Sequence, residues 1–180
     1  ECVITCFNDG DVNGDGFLTP GDAQCAFLIF LNDGVVPENC DHNNFACELQ
    51  ASDVNCDFTT TPGDALSIFS RFLDGLQPEV CFAQAPAKPA NLQLSFVSVH
   101  GNSDGLWRVR LNASDAGAVR AFGLDLSYPE DQLTFKSVSR VGTDEWIMLG
   151  AEEISPGLVK IGGYRNEVFD AEDSLFELIF

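Results

Sequence analysis

The sequence contains one 21-residue pattern twice, as DVNGDGFLTPGDAQCAFLIFL at residues 11–31 and as DVNCDFTTTPGDALSIFSRFL at residues 53–73. The two copies align without a gap and are identical at 12 of the 21 positions. A match this dense indicates an internal duplication. We therefore expect two equivalent structural units in the first half of this 180-residue chain.

Each copy begins with oxygen-bearing side chains at alternate positions and has an aspartate at its twelfth position. Calcium takes six to eight oxygen ligands, which a twelve-residue loop supplies from positions 1, 3, 5 and 12 and from the backbone carbonyl of position 7. The sequence therefore predicts two calcium sites. The predicted ligands are Asp11, Asn13, Asp15, Phe17 (carbonyl) and Asp22 in the first loop, and Asp53, Asn55, Asp57, Thr59 (carbonyl) and Asp64 in the second, with Thr19 and Thr61 at the ninth positions as weak or water-mediated ligands.

The second loop is expected to bind calcium more weakly than the first. Its sixth position, where a glycine makes the sharp turn of such loops, is Phe58. A non-glycine residue in the left-handed conformation costs about 1–2 kcal/mol. The alternative for both loops is a solvated acidic turn without metal.

A helix is predicted directly after each loop. The sequence Thr-Pro-Gly-Asp occurs at residues 19–22 and 61–64, and it places a Thr cap, a Pro at the first helical position and an acid near the third. Apolar residues then recur at helical spacing. The two stripes, expected to contact each other across a pseudo-twofold axis, are Ala23, Ala26, Phe27, Phe30 and Leu31, and Ala65, Ile68, Phe69, Phe72 and Leu73.

A duplicated calcium loop with Asp at position 12, followed by a single helix, resembles a type I dockerin. The resemblance covers residues 9–81 and implies a small, EF-hand-like, calcium-folded module that binds cohesin domains outside the cell. One feature departs from the family pattern. The tenth and eleventh loop positions, where dockerins often carry a hydroxyl pair that contacts the cohesin, are Pro-Gly in both copies, at residues 20–21 and 62–63. The partner and its contacts are therefore expected to differ from the cellulosomal pattern.

The outer face of the first helix is apolar, because Leu28 and Ile29 lie beside Cys25. Two explanations are open: a partner-binding face, or packing against the 33–50 connection. The second helix shows Ser67, Ser70, Arg71 and Asp74 at the corresponding positions, as expected for a solvated surface.

All seven cysteines lie in the first of two compositionally distinct parts of the chain, which favours an oxidising compartment and a disulfide-stabilised fold. Zinc-type Cys-x₂-Cys spacing is absent from the sequence. Connectivity does not follow from spacing, but the pseudo-symmetry favours Cys25 with Cys56, and Cys81 near Cys2 or Cys6 would join the ends. An odd cysteine remains, either free or intermolecular. The candidates are Cys2, Cys6, Cys25, Cys40, Cys47, Cys56 and Cys81.

The net charge of −19 disfavours nucleic acid and anionic membranes as partners, since both are bound through Lys and Arg. Residues 1–85 contain 14 acidic residues and one base, Arg71. No apolar run is long enough to span a membrane. Charge and cysteine content both change at an Ala/Pro-rich segment, which predicts a module at 1–82, a linker at 83–91 and a second module at 92–180.

The second module shows short apolar runs of period two, separated by turn residues, which favours a β-sandwich. The runs are residues 92–96, 107–111, 122–128, 133–135 and 175–180. Trp107 is expected to be buried from its place in this alternation.

The segments VRAFGLDLSYPEDQLTFKSVSRVG, GLVKIGGYRNE and DSLFELIF resemble a cohesin, a nine-stranded jelly-roll that binds dockerins. With this resemblance the expected fold class is multidomain α plus all-β. The final apolar run, 175–180, is expected to leave an apolar edge one strand short of the family, either because the natural chain continues or because the missing strand comes from elsewhere.

No catalytic residues are predicted. His42 and His100 form no nucleophilic arrangement with Ser, Cys or Asp neighbours, and the adjacent acid pairs are expected to be solvated loop residues. Asn112 fits the Asn-x-Ser glycosylation pattern and is taken as a marker of a surface loop.

The sequence therefore predicts a non-catalytic, extracellular, calcium-binding assembly protein. Its partner is expected to be copies of itself, giving a head-to-tail fibre or surface layer, or a separate cohesin or dockerin. The alternative is an accessory or carbohydrate-binding segment of a larger secreted enzyme or scaffold. Exposed aromatics on the sandwich would favour carbohydrate, and the candidates are Trp107, Trp146 and Tyr164.

Overall fold

The computed structural model describes residues 6–40, 47–83, 93–101, 105–114, 119–141, 146–167 and 174–180. The chain divides into two compact units, Glu1–Pro86 and Ala87–Phe180. The division falls within the predicted linker at 83–91. The described part of the first unit is helical and that of the second is β, so the protein is of mixed α and β class and rich in strands. Among the described residues, none of the helices is both long and apolar enough to cross a membrane.

The first unit contains two equivalent helices, α1 (Pro20–Leu31) and α3 (Pro62–Leu73), with a 3₁₀ turn at Glu38–Cys40 and the short helix α2 (Glu48–Ala51) between them. Both long helices begin with Pro directly after an extended threonine, Thr19 or Thr61, which acts as the N-cap. Proline suits this position because its missing N–H would have no intrahelical partner there. The predicted helix starts are confirmed.

The apolar stripes of α1 and α3 face each other and form the core of the first unit. Phe27 on α1 and Ile68 on α3 are fully buried, together with the small residues Ala26 and Ala65, which let the helices approach closely. Leu73 departs from the predicted stripe and is 56% exposed. It is the last residue of α3 and lies beside the exposed Asp74.

Three disulfides join described cysteines: Cys6–Cys47, Cys25–Cys40 and Cys56–Cys81. The favoured pairing of Cys25 with Cys56 is therefore wrong, because Cys25 on α1 faces the 3₁₀ turn that ends at Cys40. The prediction that Cys81 would pair with Cys2 or Cys6 and so join the ends of the unit is also wrong. Cys81 lies beside the N-terminal segment, where its N–H donates to the carbonyl of Asn8 (2.9 Å), but it bonds to Cys56. Cys2 lies outside the described residues.

Ile29 on the outer face of α1 is fully buried, and Leu28 is half-buried. The same part of the helix is joined to the following connection by Cys25–Cys40. The N–H of Gly34 also donates to the carbonyl of Ile29 (2.9 Å). A buried side chain cannot contact a partner, so packing within the unit accounts for Ile29 and the interface explanation fails there.

The second unit contains seven described strands in two antiparallel sheets. One sheet has the order β1-β2-β7-β4 and the other has the order β3-β6-β5. The strands are β1 (Gln93–Gly101), β2 (Trp107–Ser114), β3 (Ala121–Ser127), β4 (Ser137–Ser139), β5 (Met148–Ser155), β6 (Leu158–Tyr164) and β7 (Ser174–Ile179).

The two sheets bury one common core, which makes the unit sandwich-like. Phe176 and Leu178 of β7 and Ile161 of β6 are almost completely buried. Phe122 of β3 stacks on Phe176 of the opposite sheet, with ring centroids 5.4 Å apart. Residues on alternate positions of β6 and β7 therefore point between the sheets, as the period-two pattern predicts for 175–180.

Two predicted features of the strands are wrong. Residues 133–135 form no strand; they belong to the connection that precedes β4. Strand β7 is not an edge, because it pairs with β2 on one side and β4 on the other. Pairing partners are set by chain topology, which the alternation of a single strand does not encode.

Strand β1 is one of the two edges of the four-stranded sheet and pairs with β2 alone among the described strands, while β4 forms the other edge. Leu94 and Phe96 of β1 lie opposite Ala113 and Leu111 of β2. Directly opposed residues share a face, so Leu94 and Phe96 point to the core side, yet they are 46% and 58% exposed. The described strands of the second sheet therefore leave the inner face of β1 uncovered at Leu94 and Phe96.

Gly163 of β6 provides a test of this packing. A Cβ there would lie 2.7 Å from Cζ3 of Trp146 and 3.0 Å from Cε1 of Phe122. Overpacking of a core typically costs about 1–3 kcal/mol. We expect Gly163→Ala to lower the free energy of unfolding of the second unit by that amount, measured by urea denaturation with tryptophan fluorescence.

Gly101→Ala is the matched control for Gly163→Ala. Its Cβ would meet the indole of Trp107 at 3.6–3.7 Å, which is ordinary van der Waals contact. This variant should unfold within about 0.5 kcal/mol of the wild type. Equal destabilisation by the two variants would contradict the packing described for Gly163.

Candidate metal centres

The first loop is organised by side-chain oxygens that accept hydrogen bonds from the loop's own backbone. Asp11 Oδ1 accepts the N–H of Asp15 (3.1 Å), and Asp11 Oδ2 accepts the N–H of Gly16 (2.7 Å). Asn13 Oδ1 also accepts the N–H of Asp15 (3.0 Å). Asp15 Oδ1 in turn accepts the N–H of Phe17 (2.9 Å). These bonds curl the backbone around the predicted ligands at positions 1, 3 and 5.

The second loop repeats these bonds at the equivalent positions of its own sequence. Asp53 accepts the N–H groups of Asp57 (3.2 Å) and Phe58 (2.9 Å). Asn55 Oδ1 accepts the N–H of Asp57 (2.9 Å), and Asp57 Oδ1 accepts the N–H of Thr59 (3.0 Å). The duplication in sequence is therefore a duplication of local geometry.

The twelfth residue of the first loop, Asp22, connects the loop to the start of α1. Its Oδ1 accepts the N–H of Asn13 (3.1 Å), and its Oδ2 accepts the N–H (2.8 Å) and the hydroxyl (2.7 Å) of Thr19. The side chain is fully buried. Burial raises the pKa of Asp22 above its ordinary value, and the donors from Thr19 and Asn13 oppose that rise.

Asp64 makes the equivalent contacts at the start of α3. Its Oδ1 accepts the N–H groups of Val54 (3.1 Å) and Asn55 (3.3 Å), and its Oδ2 accepts the N–H (2.9 Å) and the hydroxyl (2.8 Å) of Thr61. Burial raises the pKa of Asp64 to about 6, against the opposing effect of these donors. Thr19 and Thr61, predicted as weak ligands, thus position the carboxylates at the twelfth positions.

The donor set is suited to a hard cation. Carboxylate, amide and carbonyl oxygens are the ligands that calcium prefers, and neither sulfur nor imidazole occurs among the predicted ligands. Within the described ranges, however, no three or more His, Cys, Asp or Glu side chains are grouped closely enough to hold a metal ion. Asp15 and Asp57 are exposed and accept hydrogen bonds from the amides of Asn13 and Asn55 (3.1 and 3.0 Å). Binding would therefore require these side chains to turn inward.

The two loops differ at their two left-handed positions. In the first loop both are glycines, Gly14 (φ 70°) and Gly16 (φ 87°). In the second loop they are Cys56 (φ 59°) and Phe58 (φ 70°). The strain predicted at Phe58 is present, and Cys56 adds a second strained residue that sequence reasoning missed. Each costs on the order of 1–2 kcal/mol, so the second loop is the less favourable of the two.

Sequence reasoning also missed Asn8, which contacts the second loop from 45 residues away. Its Nδ2 donates to the carbonyl of Asp53 (2.7 Å) and to Asp53 Oδ2 (3.2 Å), and its Oδ1 accepts from Gln50 Nε2 (2.9 Å). A signal existed, because Asn8 and Gln50 precede their loops by the same distance in the two repeats and are both amides. Asp9, the next residue, has a raised pKa, chiefly from burial.

The remaining candidates lie elsewhere. His42 falls outside the described residues, and His100 belongs to β1. Asn112 lies within β2, between β1 and β7, with a half-buried side chain, so its interpretation as a surface-loop marker is wrong. The Asn-x-Ser pattern carries no information on secondary structure, and here the alternation of β2 runs through it.

The aromatic residues of the second unit were predicted wrongly in part. Trp107, expected to be buried, is 48% exposed. It lies opposite Gly101 at the end of β1, where the opposing side chain is absent. Trp146 and Tyr164 are almost fully buried and cannot contribute to an exposed aromatic strip.

In the comparisons with known proteins, no family model, no curated protein and no solved structure matches this chain. The function is therefore argued from the residues and contacts described above.

The raised pKa of Asp64 predicts that the calcium-free first unit becomes less stable as the pH rises. The group titrates near 3.8 when unfolded and at about 6 when folded, so protonation favours folding, and this contribution is lost as the pH rises through the folded pKa. In chelator, the first unit should lose about 2 kcal/mol of stability from this group between about pH 4.5 and about pH 7.5.

The comparison for this prediction is Asp64→Asn, which keeps one of the two accepting oxygens but cannot ionise. Its stability in chelator, measured by thermal unfolding with circular dichroism, should fall less steeply over the same pH range. If the wild type and the variant show the same pH dependence, the burial of an ionised Asp64 is not the cause.

Proposed function

We propose that this chain is a non-catalytic, calcium-dependent assembly protein of the extracellular space, in which a dockerin-like first unit and a cohesin-like second unit each offer a binding surface. The observation that carries the proposal is the repeated loop geometry: the same carboxylate-to-backbone bonds occur in both copies of the repeat, each time at the start of a helix. Geometry of this kind orients oxygen ligands along a tight turn.

The charge of the first unit supports a bound cation. Residues 1–85 contain 14 acidic residues and only Arg71 as a base. Arg71 is engaged outside the loops, where its guanidinium forms an ion pair with Glu79 (2.6 Å). The buried aspartates of the loops therefore have no cationic side chain from the described residues of this unit as partner. Calcium would supply the missing positive charge.

The three disulfides favour an oxidising environment. We infer an extracellular location from them. A small unit with few large core residues gains stability from such covalent links, because they restrict its unfolded state.

The uncovered inner face of β1 supports assembly with another chain. Leu94, Phe96 and Trp107 present exposed apolar surface beside a strand edge. Unpaired strand edges bind other strands through their backbone N–H and C=O groups. We propose that this surface binds a protein partner, with a further copy of the chain as the first candidate.

Calcium removal tests the first part of the proposal. Adding a chelator at neutral pH should lower the melting temperature of the first unit and reduce its helical circular dichroism, because the buried aspartates of the loops then remain ionised without a cationic partner. Asp22→Asn should weaken the effect at the first loop. An unchanged melting temperature and spectrum in chelator would contradict the calcium proposal.

Light scattering coupled to size exclusion tests the second part. We expect the mass to grow with protein concentration in calcium and to stay monomeric in chelator. Phe96→Lys should suppress the growth, because it places a charge on the uncovered apolar face. Ser95→Lys, on the opposite face of the same strand, is the matched control and should assemble normally. A monomer under all conditions would exclude self-assembly.

Carbohydrate binding is the second candidate, and the exposure of Trp107 is the observation that favours it. Exposed aromatic faces stack on sugar rings. Titration with soluble oligosaccharides, followed by Trp107 fluorescence with Trp107→Phe as control, separates the two candidates. A saturable change that calcium does not affect would favour carbohydrate over assembly.

A further inference from the structure

The second loop is held in its strained conformation by a covalent bond. Cys56 occupies the fourth position of the loop with φ 59°, where the first loop has Gly14. The first loop, residues 11–22, contains no cysteine. Cys56 instead forms a disulfide with Cys81, which lies 25 residues further along the chain. The link lies between two predicted ligands, Asn55 and Asp57.

The segment that carries Cys81 is anchored by contacts that do not involve the loop's ligands. Arg71 on α3 donates to the carbonyl of Gln77 (2.7 Å), pairs with Glu79 (2.6 Å) and lies 4.6 Å from the ring centroid of Phe82. The residues that precede and follow Cys81 in the sequence are therefore both held against α3. A disulfide to a fixed anchor restricts the backbone of the residue at its other end.

The same segment also reaches the loop through hydrogen bonds. The N–H of Ala83 donates to the carbonyl of Val54 (3.1 Å). The N–H of Cys81 donates to the backbone carbonyl of Asn8. The side-chain amide of Asn8 in turn donates to the carboxylate of Asp53 (3.2 Å), the first predicted ligand of the loop. Fixing Cys81 thus positions Asp53 as well as Cys56.

This disulfide is the most accessible of the three. Cys81 is exposed and Cys56 is half-buried. Each of the other two disulfides includes a cysteine that is almost fully buried, Cys40 or Cys47. A dissolved dithiol should therefore reach Cys56–Cys81 first.

We propose that the Cys56–Cys81 disulfide sets the calcium affinity of the second loop and makes that site redox-sensitive, while the first site is not. The inference rests on the proposed function, namely that both loops bind calcium. Reduction by a dithiol transfers two electrons and two protons, so that the sulfur–sulfur bond breaks, two thiols form and the dithiol becomes a cyclic disulfide. Cys56 then loses the constraint that keeps it in a left-handed conformation.

The coupling must be reciprocal, because binding and reduction act on the same loop. If reduction weakens calcium binding by a given factor, saturating calcium makes the disulfide harder to reduce by that factor. A chain that matures in an oxidising compartment would reach the full affinity of its second calcium site only after this disulfide has formed.

Two backbone amides allow each loop to be followed separately in the full chain. The N–H groups of Gly16 and Phe58 donate to the first aspartate of their own loops. With selective ¹⁵N labelling of glycine and phenylalanine, calcium titration of their NMR signals gives one Kd for each site. Movement of neither signal in the wild type would contradict the calcium proposal itself rather than the redox inference.

The decisive variants remove the disulfide in two ways. Cys56→Ser with Cys81→Ser leaves a side chain at the left-handed position, and we expect the Kd at Phe58 to rise about tenfold while that at Gly16 changes less than about twofold. Cys56→Gly with Cys81→Ser supplies the residue found in the first loop and should restore most of the affinity. Wild-type affinity at Phe58 in the serine variant would overturn the proposal. Failure of the glycine variant to recover would overturn the conformational mechanism.

A redox titration of the unmodified protein tests the same coupling without variants that could misfold. The chain is equilibrated with graded dithiol, alkylated and mapped by mass spectrometry, with calcium and with chelator. Calcium should protect Cys56–Cys81 by about the factor measured for binding, and it should protect Cys25–Cys40 much less. Equal protection of both disulfides would show general stabilisation of the fold and would contradict a specific coupling.

Discussion

The buried aspartates at the twelfth loop positions connect the parts of the first unit. Asp22 and Asp64 each accept hydrogen bonds from the loop before them and from the threonine that caps the helix after them. Each carboxylate therefore fixes the direction in which its helix leaves the loop. The contact of α1 with α3, which buries Phe27 and Ile68, depends on those directions.

The same carboxylates make the first unit depend on its surroundings. A buried ionised aspartate is unfavourable without a positive partner, which is why burial raises the pKa of both groups. Among the described residues of this unit the single cation, Arg71, is committed to the segment that follows α3. Hydrogen bonds from the capping threonines and the loop backbone offset part of this cost, and the proposed calcium ions would offset more of it.

The two repeats have diverged in how they stabilise the same turn. The first uses glycine at both left-handed positions, which removes the steric cost. The second uses Cys56 and Phe58 and compensates part of the cost with a disulfide. Phe58 is 98% exposed, so packing does not repay its strain. In the second unit, the described strands of one sheet leave Leu94 and Phe96 on the inner face of β1 uncovered.

Several features followed from local sequence. The internal repeat, the helix starts at Pro20 and Pro62, the strain at Phe58 and the alternation of β7 can all be read from short stretches of the chain. Local rules are sufficient there, because φ preferences, capping and side-chain period act over a few residues.

The pairings between distant residues could be known only from the folded chain. The partner of Cys25, the contact of Asn8 with Asp53, the central place of β7 and the exposure of Trp107 depend on which segments meet in space. Those meetings result from the packing of whole helices and sheets, which no short pattern contains.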